Sequence, residues 1–184
     1  MNSSIIRYIL GSVLKIEAVL LLLPCIVSVC YRETAGLSYL LVSAACLVLG
    51  LAMTFKKPKD TVYYLKEGCV TTALSWIFLS FFGALPFWIS GEIPSLTDAL
   101  FETVSGFTTT GASILEDVEV LSHTALFWRS FTHWIGGMGV LVFLLAIISL
   151  NGGSQVNLLR AESPGPSVGK LVPKMKHTAR ILYL

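Results

Sequence analysis

Four long apolar blocks, separated by short polar segments, constrain the fold of this chain more than any other feature of its sequence. They run over residues 5–29, 36–55, 68–89 and 123–150. Each block is near or above the ~20 residues that a helix needs to cross the hydrocarbon core of a bilayer. Hydrophobic residues make up 54% of the 184 positions, and they occur in long blocks. In a soluble domain they would be fewer and would alternate with polar residues. We therefore predict an all-α integral membrane protein with four spans.

The distribution of charge predicts which loops face the cytoplasm. Residues 55–67 carry four lysines against two acids, and residues 151–184 carry five basic residues against one acid. Residues 91–123 carry six acids and no lysine or arginine. Because basic loops stay inside, the first two segments and the N-terminus are predicted to be cytoplasmic. The acidic segment is then outside, where it is either a vestibule that attracts cations or a plain solvated loop.

A short helix is predicted between the third and fourth blocks. Ser95 followed by Asp98 is typical of a helix start, and Ser105 with Gly106 would stop the helix after residues 96–104. Nine residues extend ~14 Å, about half the hydrocarbon thickness. Since such a helix cannot span, the chain must turn back to the same side as a re-entrant loop. Non-helical backbone is tolerated at that depth only where protein buries it or where it lines water.

The polar segment after this helix has the composition of a cation-coordinating loop. Thr108, Thr109 and Thr110 are β-branched and favour extended backbone, and Gly111 tolerates positive φ. Carbonyl oxygens turned toward one axis can replace the hydration shell of a potassium ion. The same residues in a soluble protein would more often form a surface turn. Their place after a half-length helix in a membrane chain favours an ion filter.

The sequence around this loop resembles the first pore loop of the Trk/Ktr potassium uptake family. The resemblance is strong over residues 68–150 and looser over the first two blocks. It rests on Gly83-Ala84-Leu85-Pro86-Phe87-Trp88 before the loop, on residues 98–113 with Ser105-Gly106-Phe107-Thr108-Thr109-Thr110-Gly111-Ala112-Ser113, and on His133-Trp134-Ile135-Gly136-Gly137-Met138-Gly139 after it.

This resemblance implies a function and a set of ion-binding residues. Potassium, as the substrate, would bind the carbonyls of Thr109 and Thr110 together with Gly111, flanked by Thr108 and Ala112. The resemblance implies no catalytic activity, no cofactor and no nucleic acid partner. Glycine at position 111 fits potassium selectivity.

The resemblance also implies an organisation and partners. Residues 1–60 would be an N-terminal helix pair, residues 61–150 the first of four helix–pore loop–helix repeats, and residues 151–184 a cytoplasmic linker with the start of another span. The chain would be the N-terminal portion of a longer transporter, or a truncated product. The complete protein would lie in the bacterial inner membrane as a homodimer, regulated by a cytoplasmic nucleotide-binding subunit.

Several polar residues at membrane depth need partners. We predict that Glu102 pairs with Arg129, because an unpaired charge there costs at least ~2.5 kcal/mol. The pair either supports the filter from behind or simply neutralises two charges. His133 is expected to be an ordinary hydrogen-bonded residue, and the sequence assigns no role to Lys15 or Glu17.

Two alternative functions remain open at this stage. The chain could be a nonconducting assembly subunit or a remnant of a transporter. It could also be an intramembrane hydrolase that uses Ser105 or Ser113 with His133, although the sequence shows no third group to orient the histidine.

Overall fold

The computed structural model describes residues 3–58 and 65–137, and every regular element in these ranges is helical. This confirms the all-α prediction. A short 3-10 turn, Val118–Val120, precedes the last helix. The α-helices in chain order are α1 (Ser3–Leu20), α2 (Leu22–Tyr31), α3 (Gly36–Thr54), α4 (Leu65–Ser90), α5 (Leu96–Phe107) and α6 (His123–Gly136).

Three stretches of the described residues are long and apolar enough to cross a membrane. They are Ser3–Tyr31, Gly36–Thr54 and Glu67–Ser90, and they correspond to the first three apolar blocks. Helix α6 begins at His123, where the fourth block was predicted to begin. The remainder of that block and the predicted linker at 151–184 lie outside the described residues.

The first of these stretches consists of two helices that meet at Leu21. Pro24 has no backbone N–H, so the carbonyl of Leu20 lacks its usual intrahelical donor and the helix is interrupted there. Leu21 itself is fully buried. Pro24 is buried as well, so one side of the interruption packs against protein, and neighbouring helices help a membrane helix to tolerate a proline.

Helices α1 and α3 pack as an antiparallel hairpin through small residues. A Cβ built on Gly11 would lie 2.9 Å from the carbonyl oxygen of Gly50, so the two backbones are in direct contact. The Ser43 hydroxyl donates to the Ala18 carbonyl at 2.6 Å. Close approach at small residues and hydrogen bonds between helices are the usual means of association in membranes.

Two charged residues of α1 differ sharply in their surroundings. The aliphatic stem of Lys15 lies against Gly50, with its Cγ 2.8 Å from a Cβ built there. Glu17 is fully buried, and neither of its carboxylate oxygens has a hydrogen-bond partner in the described part of the chain. Lys15 therefore has a packing role, and that of Glu17 stays unassigned.

Trp128 of α6 connects four helices. It is fully buried, and its indole N–H donates to the Gly83 carbonyl of α4 at 2.9 Å. Its ring meets Tyr39 of α3 and Phe107 of α5 edge to face, each at a centroid distance of 6.4 Å. Aromatic contacts of this kind add ~0.5–1.5 kcal/mol beyond burial. Trp128 thereby fixes α5 and α6 relative to the N-terminal hairpin.

Candidate functional site

Helix α5 begins where the sequence predicts but ends later. The Ser95 hydroxyl oxygen accepts the Asp98 N–H at 3.3 Å, which confirms the predicted N-cap. The predicted end at Val104 is wrong, because the helix continues through Ser105 and Gly106 to Phe107. Tertiary packing here outweighs the low helix propensity of glycine. At 12 residues the helix extends ~18 Å and still cannot span the ~30 Å hydrocarbon core.

Gly106 has a packing reason to lie inside this helix. A Cβ built on Gly106 would collide with the hydroxyl of Thr132 on α6 and lie 3.0 Å from the Cβ of Thr132. The absence of a side chain therefore lets α6 approach the end of α5 closely. The position predicted to stop the helix instead serves a contact between helices.

The backbone after α5 forms a Schellman cap, with a threonine where glycine is usual. The Thr109 N–H bonds the Gly106 carbonyl, and the Thr110 N–H bonds the Ser105 carbonyl, both at 3.0 Å. Thr108 is helical at φ −84° and ψ 0°, and Thr109 is left-handed at φ 55°. The predicted extended backbone is therefore wrong at both residues. A β-branched residue in the left-handed region carries strain of ~1–3 kcal/mol, and such strain clusters at functional sites.

Gly111 adopts the positive φ that the sequence predicts, 75°. All residues from 108 to 113 are exposed. Within residues 3–58 and 65–137, no hydrogen bond is accepted by the carbonyls of Thr109, Thr110 and Gly111. The Ala112 carbonyl differs, because it accepts the Ser105 hydroxyl at 2.5 Å. The loop thus offers three consecutive carbonyl groups that remain available to a ligand.

The Glu102 carboxylate joins α5, α6 and the end of the loop. It is buried, and the Nε of Arg129 donates to it at 2.5 Å, so the predicted partners are brought together. The Ser113 hydroxyl lies 3.0 Å from one of its oxygens, and the Ile114 N–H donates at 3.2 Å. With these donors the buried charge is hydrogen-bonded as well as paired. Sequence reasoning did not identify the bonds from Ser113 and Ile114, because they depend on how the loop folds back.

The described residues do not assemble the constellation of a serine hydrolase. The Ser105 hydroxyl donates to the Ala112 carbonyl, and that of Ser113 donates to Glu102. His133 is half-buried, with Nδ1 2.9 Å from the Arg129 carbonyl, as expected for an ordinary hydrogen-bonded residue. Neither serine hydroxyl is therefore hydrogen-bonded to this ring, as a serine nucleophile would be to its general base.

Two carboxylates from other parts of the chain bind the N-terminus of α6. Glu33 accepts the backbone N–H groups of His123 and Thr124 at 3.0 and 2.9 Å. Glu92 accepts the N–H of Ser122, the N-cap residue, at 3.1 Å. Negative charge is favourable at this end of a helix. These contacts position α6 beside the loop, and no local sequence pattern predicts them because they join distant parts of the chain.

The donors around Glu33 also set the pKa of its carboxyl. Desolvation by burial raises this pKa, but hydrogen bonds from Thr124 and His123 outweigh it and bring the pKa to about 2 from an ordinary value of 4.5. A carboxyl group whose pKa is lowered by folding stabilises the folded state at pH values above its ordinary pKa. This contribution to the free energy of unfolding is lost as the pH falls through about 2. The contact between Glu33 and α6 is therefore intact at neutral pH.

Known proteins with similar sequences are named for cation transport or potassium uptake. Residues 38–184 match the family model TrkH, described as a cation transport protein. The Trk system potassium uptake protein TrkH of Escherichia coli is 36% identical over 188 aligned residues, covering 100% of this chain and 39% of the relative. An uncharacterised cation transporter of Methanocaldococcus jannaschii is 40% identical over 155 residues, covering 84% of this chain and 32% of the relative.

A solved structure is similar over the same length. The crystal structure of the potassium transporter TrkH from Vibrio parahaemolyticus aligns with a TM-score of 0.77 and 30% identity. The alignment covers 100% of this chain and 37% of that one. The chain therefore spans less than two fifths of the length of these relatives.

Proposed function

Because the chain belongs to the TrkH family of cation transport proteins, we propose that it forms part of a pathway by which potassium ions cross the membrane. Membership confirms the family resemblance that the sequence predicts most strongly over residues 68–150. The family is named for cation transport and its relatives here for potassium uptake, in agreement with the prediction that the chain is not an enzyme.

The proposed ion path runs along the carbonyl groups of Thr109, Thr110 and Gly111, with Thr108 and Ala112 at its ends. The observation that carries this proposal is the exposure of three consecutive carbonyls that accept no hydrogen bond in the described residues. Positive φ at Thr109 and Gly111 supports the proposed path. Since the sign of φ changes from one residue to the next, successive carbonyl groups change direction. Potassium bound at Thr109 and Thr110 would exchange its water shell for these oxygens.

Two features would stabilise a cation and its binding loop. The C-terminal end of α5 directs its partial negative charge toward the loop, an effect worth ~0.3–1 kcal/mol at exposed sites. Glu102 and Arg129 would support the loop from behind through the bonds that Glu102 accepts from Ser113 and Ile114. The membrane potential supplies the driving force, ~2.3 kcal/mol per charge for each 100 mV.

The wider organisation proposed for the complete protein follows the family resemblance. Residues 1–60 form an N-terminal helix pair, 61–150 the first of four repeats around one pore, and 151–184 a linker to the next span. The protein lies in the bacterial inner membrane with its N-terminus in the cytoplasm. It works as a homodimer with a cytoplasmic nucleotide-binding regulatory subunit. The exposed side of the loop supports this scheme, because a complete filter needs further units to enclose the ion.

Uptake in a bacterium that lacks its own potassium transport systems tests the proposal. Expression of the full-length protein should restore growth at low potassium and give rubidium uptake that potassium competes away. A protein that reaches the membrane in normal amounts but moves neither ion would contradict the proposal. That result would favour the alternative of a nonconducting assembly subunit.

Gly136→Ala is expected to lower rubidium uptake about tenfold. Overpacking typically costs ~1–3 kcal/mol, and ~1.4 kcal/mol added to the barrier for ion passage corresponds to this factor. A Cβ built on Gly136 would collide with the Phe107 carbonyl oxygen and lie 2.7 Å from the carbonyl carbon. Backbone cannot rotate away as a side chain can, so α6 or the base of the loop must shift.

Gly137→Ala is the matched control for this change. Within the described residues, the nearest neighbour of a Cβ built on Gly137 is the His133 carbonyl oxygen of α6, at 3.4 Å. Uptake should be compared at equal abundance in the membrane. Equal losses in the two variants would show that the contact with Phe107 is not what matters.

A further inference from the structure

An open cavity lies at the face of the protein that carries the α6 N-terminus. Its volume is about 700 Å³, and the α2–α3 loop and the ends of α3 and α4 form its walls. Helix α2 ends at Tyr31, α3 begins at Gly36 and α4 ends at Ser90, so the cavity sits where the spans leave the hydrocarbon core. That depth is occupied by lipid headgroups.

One wall of the cavity is apolar and exposed. Leu37 and Leu41 lie one helical turn apart on α3, with 71% and 60% of their surface exposed, and Ile89 of α4 is 44% exposed. Residues four apart share one face of a helix. These side chains form a strip that leads from the cavity mouth toward the hydrocarbon core, as an acyl chain would run.

The cavity also presents a positive charge. Arg32 lines it, is exposed, and makes no side-chain hydrogen bond to the described residues. The residue is held as the left-handed cap of α2, at φ 57°. No other lysine or arginine occurs in residues 16–55 or 67–128. Arg32 is therefore the available donor for an anionic group at this face, and guanidinium groups bind phosphate well.

Two carboxylates line the same cavity, and they differ in what they can still accept. Glu33 is occupied by donors from His123 and Thr124. Each oxygen of Glu92 accepts one bond from Ser122, which leaves lone pairs free. Glu92 is thus the acceptor that remains for a positively charged donor.

We propose that this cavity binds a glycerophospholipid whose headgroup carries a primary ammonium, such as phosphatidylethanolamine. Arg32 binds the phosphate, Glu92 accepts the ammonium, and one acyl chain lies along Leu37, Leu41 and Ile89. Two carboxylates beside one arginine disfavour a lipid with only negative charge. A quaternary ammonium has no N–H to donate to Glu92, so a choline headgroup fits less well. The site does not depend on the proposed ion path.

Native mass spectrometry of the delipidated full-length protein tests the proposal, with ethanolamine, choline and glycerol phospholipids of identical acyl chains. The ethanolamine lipid should bind about tenfold more strongly than the other two, as expected for one added charge-assisted hydrogen bond. Arg32→Gln should lower its binding by a similar factor, and Arg32→Lys should lower it less. Glu92→Gln should bring the ethanolamine lipid to the level of the choline lipid.

Arg7→Gln is the matched control. Arg7 is exposed near the opposite end of the spans, where it donates to the Lys56 carbonyl at 3.3 Å. Its loss should leave ethanolamine lipid binding unchanged. Equal binding of the three lipids, a preference for the glycerol headgroup, or equal effects of Arg32→Gln and Arg7→Gln would each overturn the proposal. Because the experiment measures lipid binding, a protein that fails to take up potassium would leave the lipid proposal unaffected.

Discussion

Gly111→Arg is expected to abolish potassium uptake by the full-length protein while its abundance in the membrane stays normal. At φ 75° an L-residue is strained by roughly 1–2 kcal/mol, which a folded membrane protein can absorb. A Cβ built on Gly111 has nothing within 4 Å among residues 3–58 and 65–137, so the larger side chain meets no packed core there. The guanidinium would instead enter the exposed side of the loop, where its positive charge opposes a cation at Thr109 and Thr110.

Gly91→Arg separates this effect from backbone strain. Gly91 has φ 79°, and a Cβ built on it likewise meets no atom of the described residues within 4 Å, but it lies in the α4–α5 connection. The two substitutions therefore introduce the same side chain at nearly the same positive φ. Gly91→Arg should retain uptake. Uptake by Gly111→Arg at the wild-type rate would contradict the filter assignment, and equal loss in both variants would attribute the effect to strain.

Local rules were sufficient for the spans and for the ends of several elements. The length of each apolar block determines whether a helix can cross the bilayer, so three spans and the start of α6 at His123 followed directly from the sequence. Ser95 forms its cap with a residue only three positions away. Positive φ at Gly111 was predictable for a similar reason, since glycine is the residue that adopts it at least cost.

The same rules failed where distant residues decide the backbone. Helix α5 continues past Ser105 because Gly106 packs against Thr132, and Thr109 takes the left-handed position because the helix ends in a Schellman cap. No local pattern distinguishes such a threonine from an extended one. The contact of Glu33 with Thr124 joins residues 91 positions apart, and it becomes visible only when α2 and α6 are packed together.

The hydrogen bonds and the ion pair of Glu102 were predictable from the sequence only in part. The opposite charges of Glu102 and Arg129 at membrane depth made their pairing predictable, because each would otherwise be desolvated alone. The bonds from Ser113 and Ile114 were not predictable, since they require the loop to return to α5. These additional bonds make the network a candidate for positioning the loop.

Glu102→Gln is expected to destabilise the protein by about 3–5 kcal/mol, because it leaves the largely buried guanidinium of Arg129 without its counter-charge. The change keeps the size of the side chain, so packing is nearly conserved. Thermal unfolding of the purified full-length protein measures the loss. Asp98→Asn is the matched control, because Asp98 lies one turn earlier on α5 and its carboxylate makes no hydrogen bond or ion pair with the described residues. Its cost should be below ~1 kcal/mol.

The double variant Glu102→Gln with Arg129→Met distinguishes support of the loop from simple neutralisation. Removing both charges eliminates the unpaired cation, so most of the stability should return. If the carboxylate positions the loop, uptake should remain low, because the glutamine amide cannot hold Ser113 and Ile114 as a carboxylate does. Recovery of stability together with uptake would show that the pair only neutralises two charges. Recovery of stability alone would assign Glu102 a positioning role, since the remaining defect would lie in the geometry of the loop.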